Sequence, residues 1–301
     1  MSNMNGLGVR IARQRWLSKR VRNALIKLAD RGFFEGREFE TVFFGLVYRG
    51  NTRNLIDRKV LMSGCHECDV LAFIRDFLAL IDKPMCIDIG ANIGHHALFM
   101  ARHANRVLAF EPYAPVRQSL QEKLELNRIS NVDVYSVALG EVNESKQFFA
   151  PPEGNLGMGS FVEEFSEVNR SDEKLEVRRA DEFFTELGIE RADFIKLDVE
   201  GFEREVLSGA RETVARLRPV VLFESSIRLE NALHSMKEIE EVFPEAYRYF
   251  RFTHTGKRRH GKYKLIELSQ EMIDGRDELT ILAVPIEREV PMSTSMRILP
   301  G

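Results

Sequence analysis

The sequence has few cysteines and no long apolar run. It contains three cysteines in 301 residues, too few for the disulfide framework of a small secreted domain. Its apolar runs, such as residues 77–81 and 97–101, reach five residues, whereas a helix that spans a bilayer needs about 20. The N-terminus lacks the continuous apolar stretch of a signal peptide. These absences exclude a disulfide-framework fold and a membrane-spanning helix, and they predict a protein of the reducing cytoplasm.

The composition is that of a folded globular protein. Hydrophobic residues make up 44% and charged residues 30% of the chain, with 20 Gly and 10 Pro. These proportions exclude the disordered, collagenous and fibrous classes. A length of 301 residues allows one large α/β domain with extensions, or two small domains, and is sufficient to bury a sizeable core.

Positive charge is concentrated at the start of the chain. Residues 1–31 hold eight Lys or Arg and one Asp, a balance of +7, and because the whole chain carries −3, the rest of it carries −10. Apolar residues recur with helical spacing between positions 17 and 28, which predicts a basic amphipathic helix within residues 1–35. Such a helix can rest on an anionic membrane or on nucleic acid. We favour the alternative that it packs on its own domain or on a second subunit.

The rest of the chain divides into a cap, a main domain and a tail. Residues 36–83 predict a cap, with a β-hairpin over 39–61 that turns at Gly50-Asn51 and a helix over 69–81. Between residues 84 and 285 short apolar strands alternate with amphipathic helices, which predicts a doubly wound, mostly parallel α/β sheet. Residues 286–301 predict a frayed tail.

The alternation of strands and helices sets the element boundaries of the main domain. Strands are predicted at residues 85–89, 106–110, 132–138, 194–198 and 220–224, and helices at 95–102, 114–126, 202–216 and 235–242. Further strands at 246–252, 263–268 and 279–285 would add a hairpin to one edge of the sheet.

A glycine-containing turn follows the first strand of the main domain. The segment CIDIGANIG places Asp88 at the strand end and Gly90 and Gly94 in a turn that opens onto a helix. Asn92 stands where a dinucleotide-binding G-x-G-x-x-G turn has its second glycine. The acid can meet an ammonium group and the open backbone amides can meet a carboxylate, which fits an amino-acid-like ligand.

The next strand of the main domain ends in a second acid, Glu111. A carboxylate at this place can accept hydrogen bonds from both hydroxyls of a ribose. An amino-acid moiety and a ribose together describe S-adenosylmethionine, which we expect as the cofactor. The alternatives are a tight turn without a ligand for the glycines and a solvated acid for Glu111.

Seven separated motifs carry a family resemblance. They are LIDRKVLMSGCHE (55–67), IDIGANIG (87–94), FEP (110–112), VALG (137–140), GNLGMGS (154–160), IKLDVEGFEREVLSGA (195–210) and LFE (222–224). In this order along the chain, they resemble the FkbM family of S-adenosylmethionine-dependent methyltransferases. The resemblance implies a class I, Rossmann-like methyltransferase fold and methyl transfer to oxygen, commonly a hydroxyl of a sugar or natural product.

The resemblance also implies roles for single residues. Glu111 would hold the ribose, and the backbone of Ala138 would lie near adenine, with an ordinary buried strand residue as the alternative. Glu67, in the G-x-x-E of the first motif, would lie close to the cofactor or the substrate. The residues assigned to the cofactor site are Glu67, Asp88, Gly90, Asn92, Gly94, Glu111 and Ala138.

The segment IKLDVEGFE brings ionisable groups to the carboxyl end of a strand, where sheets of this kind bind ligands. Asp198 and Glu200 are the candidates for a catalytic base that accepts the proton of a hydroxyl. Alternatively, Lys196 and Asp198 only neutralise each other while Glu203 starts the next helix. Glu224 ends the adjacent strand and can face the same pocket. Magnesium could bind Asp198, Glu200 and Glu224, although their spacing does not demand a metal.

Three further features of the sequence receive no catalytic role. Cys65 and Cys68 form a lone C-x-x-C without a redox context, so we expect neither zinc nor thioredoxin-like chemistry. His95 and His96 are expected to be exposed at a helix start. The Lys and Arg residues between 257 and 264 predict a solvated turn, with phosphate binding as the alternative.

Three functions compete. An O-methyltransferase that acts on a small molecule or glycan is the leading hypothesis. A nucleic-acid methyltransferase is disfavoured by the acidic main domain and by the absence of a D/N-P-P-Y/F signature. A catalytically silent binding module is disfavoured by intact Gly90, Glu111, Asp198 and Glu200. We expect a cytoplasmic protein, and both a homo-oligomer and membrane contact through the N-terminal helix stay open.

Overall fold

The computed structural model describes residues 38–151, 159–162, 173–225, 229, 232–254, 262–274 and 278–295. The predicted N-terminal helix within residues 1–35, most of the GNLGMGS motif and the basic turn at 255–261 lie outside these residues. Across the described part of the chain, every helix is too short or too polar to cross a bilayer.

Short strands and helices alternate along the chain, as the sequence predicts. The strands are β1 (Glu38–Phe43), β2 (Leu46–Asn51), β3 (Met85–Ile89), β4 (Arg106–Phe110), β5 (Val132–Tyr135), β6 (Ala138–Gly140), β7 (Glu144–Gln147), β8 (Lys174–Arg179), β9 (Phe194–Leu197), β10 (Val220–Ser225), β11 (Tyr247–His254), β12 (Lys262–Glu267), β13 (Leu279–Pro285) and β14 (Ser293–Ser295). The helices are α1 (Leu55–Ser63), α2 (Cys68–Leu78), α3 (His95–Ala101), α4 (Ala114–Leu126), α5 (Ala180–Glu186), α6 (Glu203–Gly209), α7 (Arg211–Leu217), α8 (Met236–Val242) and α9 (Gln270–Asp274).

The main sheet has the strand order β14-β12-β11-β13-β10-β9-β3-β4-β5. Strands β10, β9, β3, β4 and β5 pair in parallel, while β13 pairs antiparallel with both β10 and β11. The chain leaves β3 toward β4 on one side and returns to β9 on the other, so the order reverses between β3 and β9. This confirms the doubly wound, mostly parallel α/β fold, and it puts the usual ligand-binding crevice at the carboxyl ends of these two strands.

The sheet is buried on both faces, as a parallel sheet requires. On one face Ile87, Ile89 and Ile195 join a core that includes residues of α6, α7 and α8. On the other face Cys86 and Phe194 pack with α2, α3 and the β1–β2 hairpin. Alternate residues of one strand therefore belong to two different cores, which explains the continuous apolar runs 107–110 of β4 and 220–223 of β10.

The cap hairpin turns at a different place from the predicted one. The turn lies at Phe44 and Gly45, both with positive φ, and residues 55–63 form helix α1 rather than a strand. Gly50-Asn51 instead ends β2, where the Asn51 amide donates to the Asp57 carboxylate at 2.9 Å. The prediction was wrong because the signal at Gly50-Asn51 marks the strand-to-helix junction.

The predicted third strand is two strands in different sheets. Strand β5 ends at Tyr135, and Ala138 opens β6, which belongs to a small sheet of order β6-β8-β7. The predicted helix over 202–216 is likewise divided at Ala210 into α6 and α7. The break has a tertiary cause, because the Asp181 carboxylate accepts the amides of Glu212 and Thr213 and so caps α7 from another part of the chain.

The tail is more ordered than the sequence suggests. Ser293–Ser295 pairs with β12 as an edge strand of the main sheet. Just before it, the Arg288 guanidinium lies 3.2 Å from the buried Asp193 carboxylate, and Arg218 makes an ion pair with Glu287. These contacts anchor residues 286–295 to the sheet.

A buried cluster attaches the hairpin to the main domain. The Asp57 carboxylate accepts from the Tyr48 hydroxyl at 2.8 Å, and all three side chains of Tyr48, Asp57 and Lys123 are buried. The Lys123 ammonium lies 5.1 Å from the Tyr48 ring centre. Asp57 therefore balances a buried cation and holds two donors at once.

Replacing Asp57 with Ala should lower the free energy of unfolding by about 3 kcal/mol, because it removes a negative charge near the buried Lys123 and the acceptor of the Tyr48 hydroxyl and the Asn51 amide. Urea denaturation measures the loss. The matched control is Glu40→Ala, which breaks a half-exposed pair with Arg49 and should cost less than about 1 kcal/mol. Equal losses in the two variants would contradict the account of the cluster.

Candidate active site

A cleft of about 580 Å³, including its opening to solvent, lies at the carboxyl ends of β3, β4 and β9. Phe110, Phe148 and Phe161 form much of its apolar wall. Six of the predicted site residues line it, namely Gly90, Asn92, Glu111, Ala138, Asp198 and Glu200. Motifs that are far apart in the sequence thus meet around one cleft.

The turn after β3 is pressed against the end of β9. The amides of Gly90 and Ala91 both donate to the Phe110 carbonyl, and the Asp198 amide donates to the Ile89 carbonyl. Gly90 has φ +77°, and a Cβ atom there would overlap the carbonyl oxygen of Asp198. Gly90 is therefore required by the protein's own backbone, whatever the cleft holds.

Gly94 and Asp88 lie beside the cleft but do not line it. Gly94 is the residue before α3, and a Cβ there would overlap Leu120 of α4. Asp88 is fully buried, and neither of its carboxylate oxygens has a side-chain partner within hydrogen-bond distance among the described residues. Burial raises the pKa of Asp88, and the positive charge of Lys196 opposes the shift. Contact of Asp88 with a ligand ammonium group stays a prediction.

Glu111 stands at the edge of the cleft with both carboxylate oxygens held. One oxygen accepts the Asn92 amide and the other accepts the Tyr113 amide, each at 3.0 Å. Burial raises the pKa of Glu111 to about 7 although these two amides work to lower it. Each oxygen accepts one hydrogen bond and keeps capacity for another, so the carboxylate can still meet a pair of hydroxyls.

Lys196 and Asp198 form an ion pair at the end of β9. Their nitrogen and oxygen lie 2.8 Å apart; the lysine side chain is buried, whereas that of Asp198 is 30% exposed. Burial works to lower the pKa of Lys196, but the charges of Asp198, Asp88 and Glu67 outweigh it and raise that pKa. Lys196 is thus a permanent cation that pairs with Asp198 and is stabilised by the charges of Asp88 and Glu67.

The turn after β9 holds Glu200 in an unusual backbone conformation. Glu200 and Gly201 have φ +51° and +95°. The Glu203 carboxylate accepts the Val199 and Gly201 amides, and the Ser160 hydroxyl donates to the Glu200 carbonyl at 2.6 Å. The strained turn is therefore fixed from two sides, as is common at functional sites.

Ser160 and Glu203 are positioning residues whose role the sequence did not reveal. Ser160 is the last residue of the GNLGMGS motif. Its position in a motif of the family resemblance was the one feature of the sequence that could have indicated a role. For Glu203 the helix-start interpretation covers only part of its role, because the carboxylate also holds the preceding turn.

A second cavity, of about 200 Å³ with its opening, lies on the other side of Asp198. Its polar lining residues are Glu67, Lys196, Asp198, Glu224 and Thr280. Glu67 therefore lines this cavity and not the larger cleft. The predicted cofactor residues Gly90, Asn92, Glu111 and Ala138 line the larger cleft instead. Asp198 is shared by both cavities.

Two histidine rings lie beside Glu67 at the second cavity. Its two carboxylate oxygens lie 3.4 Å from His66 Nε2 and 3.2 Å from His96 Nε2. Burial works to raise the pKa of Glu67, but His66, His96 and Lys196 outweigh it and hold that pKa well below its usual value. His95 and His96 are buried, which corrects the expectation that they are exposed: His95 accepts the His66 amide at its Nε2.

The C-x-x-C around Glu67 is a disulfide. Cys65 and Cys68 are joined, and both are buried, while Cys86 is free and buried. The sequence analysis excluded a disulfide framework and zinc or thioredoxin-like chemistry, and it left this pair without an interpretation. Glu67 stands inside the ring that the bond closes, with φ +43°, so the bond restricts the backbone that presents its carboxylate.

No three His, Cys, Asp or Glu side chains of the described residues are placed to hold a metal ion. The magnesium alternative at Asp198, Glu200 and Glu224 gains no support from this geometry.

The disulfide predicts the thiol count of the protein. Denatured without a reductant, the protein should show one reactive thiol per chain, that of Cys86; after reduction it should show three. Titration with a thiol reagent measures both values. Cys86→Ser should bring the unreduced count to zero, and three thiols before reduction would contradict the Cys65–Cys68 bond.

The buried acids predict how stability depends on pH. Burial and the nearby Asp198 raise the pKa of Glu200 to about 9, and burial also raises that of Glu224. A raised pKa means that the folded state binds more protons than the unfolded state, so the stability from these groups is present at low pH and is lost as pH rises. Between pH 7 and 9 the free energy of unfolding should therefore fall.

Glu200→Gln should make that fall less steep by up to about 1.4 kcal/mol per pH unit, the effect of one titrating group. Urea denaturation of the ligand-free protein at pH 7, 8 and 9 measures the slope. The control Glu190→Gln changes an exposed acid and should leave the slope unchanged. An unchanged slope in Glu200→Gln would show that Glu200 is ionised at neutral pH.

Together the doubly wound sheet, the reversal of strand order and the cleft beneath a glycine turn define a Rossmann-like class I methyltransferase fold. A family model described as the methyltransferase FkbM domain matches residues 88–258, which is more than half of the chain. The chain belongs to the FkbM methyltransferase family.

Several curated relatives are methyltransferases by name. The 2-O-methyltransferase NoeI of Sinorhizobium fredii is 25% identical over 56% of this chain and 76% of its own. Methyltransferase 1 of Beauveria bassiana is 28% identical over 42% of this chain. The AMB antimetabolite synthetase AmbE of Pseudomonas aeruginosa is 28% identical over 50% of this chain. The match spans 59% of Methyltransferase 1 and 9% of AmbE.

Solved structures of methyltransferases are also similar. The crystal structure of methyltransferase FkbM from Methylobacillus flagellatus is 17% identical, with a TM-score of 0.44, over 93% of this chain and 58% of that chain. A Streptococcus mutans protein, SMU.1697c, solved in complex with SAH, is 11% identical, with a TM-score of 0.40, over 69% of this chain and 93% of its own.

Proposed function

We propose that this methyltransferase uses S-adenosylmethionine to methylate a hydroxyl of a sugar, glycan or other small natural product. The observation that carries the proposal is the cleft at the strand-order reversal, where Gly90, Asn92 and Glu111 meet Asp198 in a member of the FkbM family. The name of the relative NoeI, a 2-O-methyltransferase, supports oxygen as the acceptor atom.

The cleft fits the proposed cofactor in chemistry, because apolar walls and a few polar groups line it together. In the proposal Glu111 accepts hydrogen bonds from the ribose, Ala138 lies near adenine, and the turn at Gly90 and Asn92 holds the methionine part. Asp88 and Gly94 act only through the turn that they support, and Glu67 belongs to the acceptor side.

When bound, S-adenosylmethionine supplies a methyl group on a sulfonium, ready for in-line displacement. The protein's part is to align the acceptor oxygen with that methyl and to take up one proton. Asp198 and Glu200 both line the cleft. Asp198 is held by a permanent cation, whereas Glu200, with a pKa of about 9, is protonated at neutral pH. We therefore place the base at Asp198, with Glu200 as a hydrogen-bond donor.

Partner and location are also part of the proposal. The acceptor is a small molecule or glycan, and residues 1–31 supply a basic segment for contact with the protein itself, a second subunit or a membrane surface. In a cytoplasmic location the Cys65–Cys68 bond would be open to reduction.

The cofactor prediction is that S-adenosylmethionine and S-adenosylhomocysteine stabilise the protein while NAD does not. A ligand at 100 times its Kd that binds only the folded state adds about 2.7 kcal/mol. Thermal shift and calorimetry measure the effect. Glu111→Ala should weaken binding by about 1.5–3 kcal/mol because charge-assisted hydrogen bonds are lost. A melting temperature raised by NAD alone would contradict the cofactor assignment.

The catalytic prediction separates the two acids. Asp198→Asn should lower turnover by about 10²- to 10⁴-fold while the affinity for S-adenosylhomocysteine stays close to that of the wild type. If Glu200 were the base instead, wild-type turnover would keep rising toward pH 9, and Glu200→Gln would remove that rise. Initial rates from pH 6 to 9 distinguish the two, and normal turnover of both variants would move the base away from this strand.

A further inference from the structure

Positive charge is concentrated on the segment that contains β11 and the start of β12. Residues 248–264 hold seven Lys or Arg and no Asp or Glu, and three of the seven lie outside the described residues. The chain after residue 31 carries −10 in total, so without this segment the rest of it carries −17. A concentration of one sign of charge on an otherwise acidic protein produces a local positive potential that attracts anions.

The β11–β12 hairpin ends at the same edge of the main sheet as the cleft. Strand β13 pairs antiparallel with both β10 and β11, so β11 runs parallel to β10, and its carboxyl end lies where β9 and β10 also end. One row of paired residues joins Leu197 of β9 to Ile266 of β12 through β10, β13 and β11. Asp198 follows Leu197 directly, so the hairpin reaches the level of the proposed base.

The hairpin continues past its last pairing with β13. Strand β11 pairs with β13 as far as Arg251, opposite Ile281, but it pairs with β12 as far as His254, opposite Tyr263. Phe252 and Tyr263 belong to the core that packs on α2. One face of the hairpin is therefore anchored to the protein, and the residues between them along each strand point to the opposite face.

That opposite face carries Arg251, Lys262 and Lys264, and we call these three residues the basic face. Arg251 stands opposite Ile281, which belongs to the same core as the apolar wall of the cleft. The basic face and the cleft thus lie on the same side of the sheet. Lys262 and Lys264 are exposed, and within the described part of the chain neither makes an ion pair. Lys264 is paired across the strands with Ser293, whose exposed hydroxyl adds a donor.

We propose that the basic face binds a phosphate group of the methyl acceptor, so that the acceptor is an extended, phosphate-bearing molecule. This rests on the proposed function and names the class of its substrate. Lysine ammonium groups bind phosphate as point charges. A phosphate monoester carries about two negative charges and can meet two lysines at once, whereas a carboxylate carries one.

The acids at the cleft keep the phosphate away from the reacting hydroxyl. Burial and the charges of nearby acids, Asp198 and Glu278 among them, raise the pKa of Glu200 to about 9, and a phosphate there would add to this repulsion. Four strand spacings separate β9 from β12, which is about 19 Å between the two backbones. An acceptor with its hydroxyl at Asp198 and its phosphate at the basic face is therefore longer than a single sugar ring.

A membrane and an RNA are different partners for the same positive charges. Each presents a wide array of phosphates, which would also face the acidic remainder of the chain. A single phosphate on a molecule that enters the cleft meets the basic face without that repulsion. We therefore assign the basic face to the acceptor.

The binding experiment uses the full-length protein at low ionic strength, where screening is weak, with and without S-adenosylhomocysteine. Inorganic pyrophosphate is the probe, and NMR of the backbone amides reports where it binds. We expect saturable shifts at Lys262, Lys264 and Ser293. The double variant Lys262→Gln/Lys264→Gln should raise the Kd by about fivefold or more at an unchanged melting temperature. The control Lys83→Gln/Lys174→Gln removes the same charge from exposed positions outside the hairpin and should leave the Kd unchanged.

The second experiment examines the methylated product. The full-length protein and labelled S-adenosylmethionine are incubated with the small-molecule fraction of a cell extract, and mass spectrometry gives the composition of the product. We expect the product to contain phosphate. With the purified acceptor, Lys262→Gln/Lys264→Gln should raise KM by about fivefold or more, while kcat and the Kd of S-adenosylhomocysteine stay close to those of the wild type.

The two proposals fail in different ways. If S-adenosylhomocysteine does not bind, the proposed function fails, and the acceptor assignment fails with it. If it binds but pyrophosphate leaves the hairpin unshifted, binds the double variant equally well, or the product lacks phosphate, the basic face is overturned and the methyltransferase proposal stands. Binding of phosphatidic acid vesicles or of polyuridylate that depends on both lysines, without binding of pyrophosphate, would also overturn it.

Discussion

Strands β3 and β9 meet so closely at their carboxyl ends that residue 90 has no room for a side chain. The Gly90 backbone lies against the Asp198 carbonyl, and the Asp198 amide donates to the Ile89 carbonyl. This one contact brings the turn of the second motif to the start of the sixth. The cleft and Asp198 depend on it, because they lie at the ends of these two strands. The second cavity lies between β9, β10, β13 and the start of α2, and it shares Asp198 with the cleft.

The buried charges depend on the same junction. Asp88 and Lys196 are partners in the β3–β9 pairing, which places a buried acid beside a buried cation. Lys196 forms an ion pair with Asp198 at 2.8 Å. Its charge also helps to lower the pKa of Glu67. Removing such a cation would leave carboxylates facing one another in a buried environment, where an unpaired charge is costly. Lys196 therefore lines the second cavity directly and acts on the larger cleft through Asp198.

Local patterns in the sequence predicted the parallel strands and the residues of the cleft, because strand ends and glycine turns depend on nearby residues. The errors have long-range causes. Helix α7 begins where Asp181, from α5, caps it, and β6 leaves the main sheet to pair with β8. Which cavity Glu67 lines depends on how α2 packs against the sheet, and the spacing of residues in the sequence does not predict that packing. Gly209 is another long-range case. A Cβ atom there would overlap the Gly140 carbonyl oxygen, so the glycine near the end of the sixth motif is required by a contact with the end of the fourth.

A crystal structure with S-adenosylhomocysteine tests the central claim most directly. The account predicts the ligand in the larger cleft, with its ribose hydroxyls within hydrogen-bond distance of the Glu111 carboxylate and its sulfur facing Asp198 and the second cavity. A ligand whose ribose lies away from Glu111, or which occupies the second cavity, would contradict the account.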